Sequence, residues 1–389
     1  MLRTQCASCN VQIPLTAPRC GVCKTRYCGR DCQKTHWKGG HKELCPVIKR
    51  RGGPEEMYAD KKYKEAVAEA VETCADDTKG QTCYICTQAL HWKTKEGLVR
   101  GCACRGTAGF VHVSCLAEQA KILVAEVEEN KLGGKALDER WKRWYACNQC
   151  EQWYHGKAGC ALGWACWKTY VGRPLETSTR RVEALTVLGN ALFMTGDEHG
   201  GIDPESAKMA LKVYEVALAV RVKHYSFDPQ GQIITLKGNI AGCLSELGRT
   251  AEAIVARRGI FDQLKQVGGV ADRETLQAGV NLSIDMIRLQ RIDELDAFLR
   301  ENELLVTAQR VLGREHEYTI RLKWAHAHAL RVDKSTDAVR GVVEALEDVC
   351  LTSRRVFGNE HPQTLGYEQG LAGAREILRN RLENPSAFA

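Results

Sequence analysis

Sixteen cysteine and histidine residues in the first 150 positions fall into two runs of eight, each with the spacing of metal ligands. The first run is Cys6, Cys9, Cys20, Cys23, Cys28, Cys32, His41 and Cys45. The second is Cys83, Cys86, Cys102, Cys104, His112, Cys115, Cys147 and Cys150. Together they use 14 of the 19 cysteines, which leaves little room for accident. A C-x2-C pair turns tightly enough to offer two sulfurs to one tetrahedral ion, and thiolate with imidazole is the donor set of structural zinc. Eight ligands per run make two complete sites, so four Zn2+ ions are expected. With every position filled by a side chain, none is left for an activated water. Such zinc folds short segments that have little core of their own.

The first run reads C-x2-C-x10-C-x2-C-x4-C-x3-C-x8-H-x3-C. Its phrase Tyr27-Cys28-Gly29-Arg30-Asp31-Cys32-Gln33, followed by Trp37 and His41-Lys42, resembles a MYND finger over residues 6–45. The resemblance implies interleaved ligation, with Cys6, Cys9, Cys28 and Cys32 on one zinc and Cys20, Cys23, His41 and Cys45 on the other. It also implies docking of a proline-rich peptide in a shallow groove, where Gln33 and Trp37 match lining positions. Trp37 serves equally well as packing for so small a module. His36 competes as a ligand, but only His41 leaves the three-residue gap to Cys45 that suits one helical turn.

The second run reads C-x2-C-x15-C-x-C-x7-H-x2-C-x31-C-x2-C. Alternate pairing would put Cys83, Cys86, His112 and Cys115 on one ion and Cys102, Cys104, Cys147 and Cys150 on another. The short C-x-C, the H-x2-C, Arg105-Gly106-Thr107 and Leu116 resemble the RING-variant (RING-CH) finger of certain ubiquitin ligases. That resemblance implies a ligase without covalent chemistry, which holds a ubiquitin-conjugating enzyme and gains rate from proximity and orientation. Ile85 inside the first knuckle and Leu116 match the contacts to that enzyme. A PHD-type chromatin reader is the nearest rival, since Trp144 stands close before the last cysteine pair.

Three departures keep a second class of function open. Gln119 stands where the family has a tryptophan. Glu151 stands where active RING fingers place a cation just after the last ligand. The gap before Cys147 is 31 residues. All three favour a non-catalytic adaptor or scaffold, whereas Ile85 and the full ligand set favour the ligase. No glycine-rich cofactor loop or catalytic tyrosine motif of a lysine methyltransferase is found.

Composition bounds these readings. The formal charge is +7. A four-cysteine site carries two net negative charges and a three-cysteine, one-histidine site carries one, so two of each bring the zinc-loaded chain to about +1. Charge therefore gives no case for a nucleic-acid partner. The opening MLRTQCASC has no apolar stretch after its early arginine, and no run of apolar residues approaches bilayer length. An odd cysteine count in paired knuckles reads as thiolate sites in a reducing compartment. The expectation is a soluble intracellular protein, cytoplasmic or nuclear, with no membrane partner.

The elements that must position the ligands are mostly helical. Residues 55–77 place alanine and valine at helical spacing among charges, within a linker assigned to 46–82. Leu116 to Asn130 is a second helical stretch, and helix-compatible sequence returns after Gly133-Gly134 through Trp144. The second finger is assigned to 83–157, with Trp153, Tyr154 and His155 capping it against a helix that begins near Ala158. From 158 to 389 the sequence turns to alanine, leucine and long amphipathic patterns. The clearest unit is NIAGCLSELGRTAEAI from Asn239, with weaker copies from Asn190, from Asn281 (42 residues on) and from Ala325 (44 further). The joints LGREHEYTI at 312–320 and FGNEHPQTL at 357–365 also match. This resembles tetratricopeptide repeats of the kinesin-light-chain kind, whose stacked helix pairs form a solenoid that binds a client protein. The fold class is thus small zinc-stabilised α+β fingers followed by an all-α helical-repeat solenoid. Cys74, Cys160, Cys166, Cys243 and Cys350 read as helix-packing residues, and His326 and His328 point to different sides of a helix.

Overall fold

The computed structural model describes residues 5–14, 16–104, 106–174, 179–195, 202–225, 231–332, 335–359 and 361–383. Arg105 lies outside them. The chain forms two compact units, residues 1–243 and 244–389. None of the helices among the described residues is long and apolar enough to cross a membrane.

The first unit begins with two knuckles, each closed by a single antiparallel bridge, Gln5 with Gln12 and Arg19 with Arg26. Helix α1 (Arg30–His36) continues through a wide turn at Trp37–His41 into α2 (Lys42–Arg50). Gly40, at φ 109, supplies the backbone conformation that this turn needs. Helix α3 (Pro54–Thr73) follows at once, with proline in its first turn. Its buried face is Ala59, Tyr63, Ala66, Val67 and Ala70. The second finger hangs on isolated bridges between Val99 and Val111 and between Ala146 and Trp153.

Helices α4 (Val113–Glu129) and α5 (Gly134–Trp141), then a short 3-10 turn at Lys142–Trp144, carry the chain out and back across the long gap between ligands. Trp144 is fully buried and meets Tyr170 edge-on at 5.7 Å. That tyrosine ends α6 (Gly156–Tyr170), the central helix of the unit, which packs on α3, α4 and α7 (Arg180–Phe193). A methyl group on Gly163 would stand 2.7 Å from Ala191, so α6 and α7 approach more closely than alanine would allow. Cys160, Cys166, Trp164 and Trp167 are packing residues of α6, as expected. The compact unit does not divide at the finger–helix boundary: α6, α7 and α8 (Pro204–His224) belong with both fingers, and α3 is a packed element of the same body.

Helix α9 (Gln232–Glu246) carries the division between units. The second unit continues with α10 (Thr250–Gly268), α11 (Arg273–Arg288), α12 (Ile292–Glu301), α13 (Leu304–Leu312), α14 (Glu317–Ala329), α15 (Thr336–Phe357) and α16 (Pro362–Glu383). Successive helices stack on one another within it, as helical repeats require. The matching joints share one device. Gly313 (φ 88) and Gly358 (φ 94) end one helix in a conformation open to glycine. His316 and His361 then cap the next, each Nδ1 accepting the N–H two residues on, at 3.1 and 3.2 Å. Thr319 and Thr364 are buried behind the caps. A third joint, at Gly269 (φ 74) with Asp272 as cap and Thr275 buried, has the same plan with aspartate for histidine. Cys243 and Cys350 are buried among helices.

Candidate metal centres

The fold gathers the sixteen ligand residues into four clusters: Cys6, Cys9, Cys28 and Cys32; Cys20, Cys23, His41 and Cys45; Cys83, Cys86, His112 and Cys115; Cys102, Cys104, Cys147 and Cys150. Within each, the ligand atoms lie within 4.8 Å of one another. This is the interleaved arrangement in both fingers, and it ties residues far apart in sequence.

The geometry fits zinc. Bonds of about 2.3 Å to sulfur and 2.0 Å to nitrogen place tetrahedral neighbours about 3.8 Å apart for two sulfurs and about 3.5 Å for sulfur and nitrogen. The sulfurs of Cys9 and Cys28, Cys20 and Cys45, and Cys104 and Cys147 are each 3.7 Å apart, and those of Cys28 and Cys32 are 3.3 Å apart. Cys23 Sγ is 3.4 Å from His41 Nε2, and Cys86 and Cys115 Sγ are 3.3 and 3.7 Å from His112 Nδ1. A disulfide would close such pairs to about 2 Å, and every cysteine is a free thiol.

One turn is used four times. In each C-x2-C knuckle the next residue is left-handed: Asn10 (φ 59), Lys24 (φ 66), Thr87 (φ 60) and Glu151 (φ 56). Its N–H returns to the first cysteine's carbonyl at 2.8–3.1 Å, and the first cysteine's N–H bonds the carbonyl one residue further. The turn aims backbone N–H groups at sulfur, as from Ile85 to Cys83 and from Gln149 to Cys147, both 3.4 Å.

The electrostatics call for a cation. Burial pushes the Cys6 thiol up, but N–H groups of Cys9, Cys28 and Ser8 outweigh it and hold the thiol at about 6. The N–H of Gln152 does most to bring Cys150 down to about 7. Their cluster mates go the other way. Hydrogen bonding to Cys32, Cys6 and Cys9 pushes Cys28 up to about 12, and burial followed by Cys20 and Cys23 pushes Cys45 to about 12. Thiols so close cannot all ionise unless a positive charge stands among them.

The histidines are fixed from behind. His112 Nε2 donates to the Ala89 carbonyl at 3.3 Å, which sets the tautomer that leaves Nδ1 for the sulfurs. His41 is held by stacking on His36 at 4.7 Å and by the edge of Trp37 at 5.8 Å. His36 is not in a cluster; its Nδ1 pairs with the Tyr27 hydroxyl at 3.0 Å, a supporting role as expected. His326 and His328 join no cluster among the described residues.

The candidate contact residues divide. Trp37, on the turn that carries the His41 ligand, is 42 % exposed, and Gln33, on α1 before it, is half-buried. Ile85 is 36 % exposed at the tip of its knuckle. Leu116 is 4 % exposed, turned into the core with Val113, Ala120 and Val124 of α4, and so offers no surface to a partner. Trp153 is half-exposed against Tyr145, whereas Tyr154 is buried and the His155 N–H bonds the Gly101 carbonyl at 2.9 Å; of the three, the last two cap the finger.

Residues 6–45 match the family model of the MYND finger, and residues 83–131 that of the RING-variant domain. The chain carries a MYND finger and a RING-variant domain. The second match stops short of Cys147 and Cys150, which α4 and α5 return to Cys102 and Cys104. No curated protein matches the chain. Among solved structures it is similar to the crystal structure of BtubC (BKLC) from P. vanneervenii, with 14 % identity over 59 % of this chain and 92 % of that one and a TM-score of 0.39. MYND and RING-variant fingers with four zinc-fitting clusters make this a zinc-binding protein-interaction protein.

Proposed function

We propose that the chain is a ubiquitin-protein ligase of the RING-variant type. Its second finger binds a ubiquitin-conjugating enzyme, while the MYND finger and the helical units recruit other proteins. The observation that carries this reading is the complete cross-braced ligand set of the second finger with Ile85 exposed at the knuckle tip. Both sites there have four protein ligands, so zinc, when bound, supplies cross-linking and not reactive chemistry. The protein's part is to hold the conjugating enzyme's thioester beside a substrate lysine. In the MYND finger, Trp37 and Gln33 are the residues we assign to a proline-rich peptide. Its free thiols suit a reducing compartment, cytoplasmic or nuclear.

A non-catalytic adaptor is the second reading, and Glu151 favours it. That residue occupies the left-handed position after Cys150, and its carboxylate is held by Arg143 at 3.2 Å. A negative side chain therefore stands where a cation toward ubiquitin is expected. Self-ubiquitination across a panel of conjugating enzymes, with Ile85→Ala as control, separates the two. Chains formed by the wild type and lost in the variant support the ligase. Silence across the panel leaves the adaptor.

A further inference from the structure

Beside the Cys83 knuckle lies a fifth turn of the same form with no thiol in it. Lys95 is left-handed (φ 60), its N–H returns to the His91 carbonyl at 2.9 Å, and the His91 N–H bonds the Glu96 carbonyl at 3.0 Å. His91 thus stands where a knuckle has its first cysteine. Its Nδ1 accepts the Thr94 N–H at 3.1 Å and meets the Thr94 hydroxyl at 2.8 Å, so an imidazole and a hydroxyl fasten what a metal fastens elsewhere.

The turn is pinned at both ends. Before it, the Ala89 carbonyl accepts from His112; after it, the Glu96 carboxylate takes the Ser114 N–H at 2.7 Å and the Ser114 hydroxyl at 2.8 Å at the start of α4. His91 itself is buried, edge-on to His112. This fixed turn shows two large apolar side chains to solvent. Leu90 is 59 % and Trp92 68 % exposed, with Lys93 and Lys95 exposed alongside. A rigid loop that holds a tryptophan and a leucine in water marks a contact surface, and a pre-ordered tryptophan is the side chain that contributes most at such contacts. The turn is tied through His112 to the cluster of Cys83 and Cys86, whose knuckle exposes Ile85. On α4, Leu116 is buried, Gln119 is polar, and Ile122 is an exposed apolar side chain, at 50 % against 68 % for Trp92.

We propose that this metal-free knuckle is the main apolar contact for the ubiquitin-conjugating enzyme, with Trp92 as its anchor. The proposal rests on the ligase reading above. Leu90 adds a second exposed apolar side chain to the same turn, and Lys93 and Lys95 call for acidic side chains around the partner's apolar pocket.

The test is binding of the full-length, zinc-loaded chain to purified conjugating enzymes by calorimetry. Zinc content confirms that each variant is folded. Trp92→Ala is expected to weaken binding about tenfold or more, and the Lys93→Glu/Lys95→Glu double variant to weaken it with a reduced dependence on salt. If Ile85→Ala abolishes binding while Trp92→Ala binds as the wild type does, this assignment is wrong and the ligase reading stands. If no enzyme binds the wild type, the ligase reading falls and takes the assignment with it. If Trp92→Ala alters only self-association in sedimentation, the patch joins copies of the chain and the assignment is again overturned.

Discussion

The rings of His91 and His112 meet edge to face, 5.4 Å apart, and only one of them faces sulfur. His112 turns Nδ1 to Cys86 and Cys115, while His91 spends its Nδ1 on Thr94. The second ring thus covers the back of the third cluster and holds the Leu90–Trp92 turn in one piece. His91→Ala removes that cover. Loss of outer-shell support for a metal ligand weakens retention about tenfold or more. The variant should therefore yield one of its four zinc ions to a chelator faster than the other three, and native mass spectrometry during the challenge reads the order of loss.

Metal content checks the clusters directly. Four zinc ions per chain are expected, and Cys115→Ser should leave three with the MYND finger intact. In a cobalt-loaded wild type, the thiolate-to-metal absorption should be that of tetrahedral sites. Two or fewer ions after gentle purification would falsify the assignment.

Acidity should act on the sites with a definite sign. In the metal-free chain Cys28 and Cys45 sit at about 12, so both are protonated at neutral pH. Loading zinc must expel these protons, because only the thiolate is a ligand. Apparent affinity should thus rise with pH across the neutral range. Cys6, held at about 6, and Cys150, at about 7, are donors that ionise near neutrality. They take up protons as pH falls through those values, and affinity should drop more steeply there. Calorimetric titrations in buffers of different ionisation enthalpy count the protons; a proton count of zero per zinc at pH 7 contradicts this account.

Much of this was readable from residue types alone, because zinc knuckles depend on short-range spacing. The sixteen candidate ligands followed from it; their interleaved pairing is what the resemblance to known fingers implies, and of α6 only a start near Ala158 was expected. What failed depended on which way a helix faces. Leu116 occupies a matching motif position, but α4 buries the face that carries it together with Val113 and Ala120. Helix α3 reads as a linker by its flanking Lys49–Gly53, yet small residues on one face dock it on α6. The joint at Gly269 was missed because aspartate replaces the capping histidine of the other two joints. The His91 turn contains no thiol to mark it, since a knuckle's backbone does not require one. Its only signal was H-x2-T-K beside C-x2-C-T.

Asp285 is a buried acid of the second unit. Its side chain is fully enclosed; it accepts from Ser245 at 2.7 Å and lies 2.6 Å from the guanidinium of Arg257. Burial outweighs both partners and raises the carboxyl above its usual range, while burial lowers Arg257. Asp285→Ala leaves the guanidinium uncompensated, which typically costs about 3–5 kcal/mol. Urea denaturation of the full chain should show the loss in the transition of residues 244–389 only, because the network ties α9, α10 and α11 and touches no finger.

Zinc removal should divide the chain at the unit boundary and not at the end of the fingers. Both fingers share a compact body with α3, α6, α7 and α8. The second finger's Gly101 carbonyl holds the start of α6, and Tyr63 of α3 reaches Ser114 of α4 at 3.0 Å. Strip the metal, and the loops that place α4 and α6 lose their cross-links, so helices that bind no zinc should loosen with them. Residues 244–389 have their own stacked core and should persist. Hydrogen exchange after chelation should therefore show protection lost in α3, α4 and α6 and kept in α11, α14 and α15. Retained protection in α6 would mean that the helices stand without the fingers; lost protection in α14 would mean that the second unit leans on the metal as well.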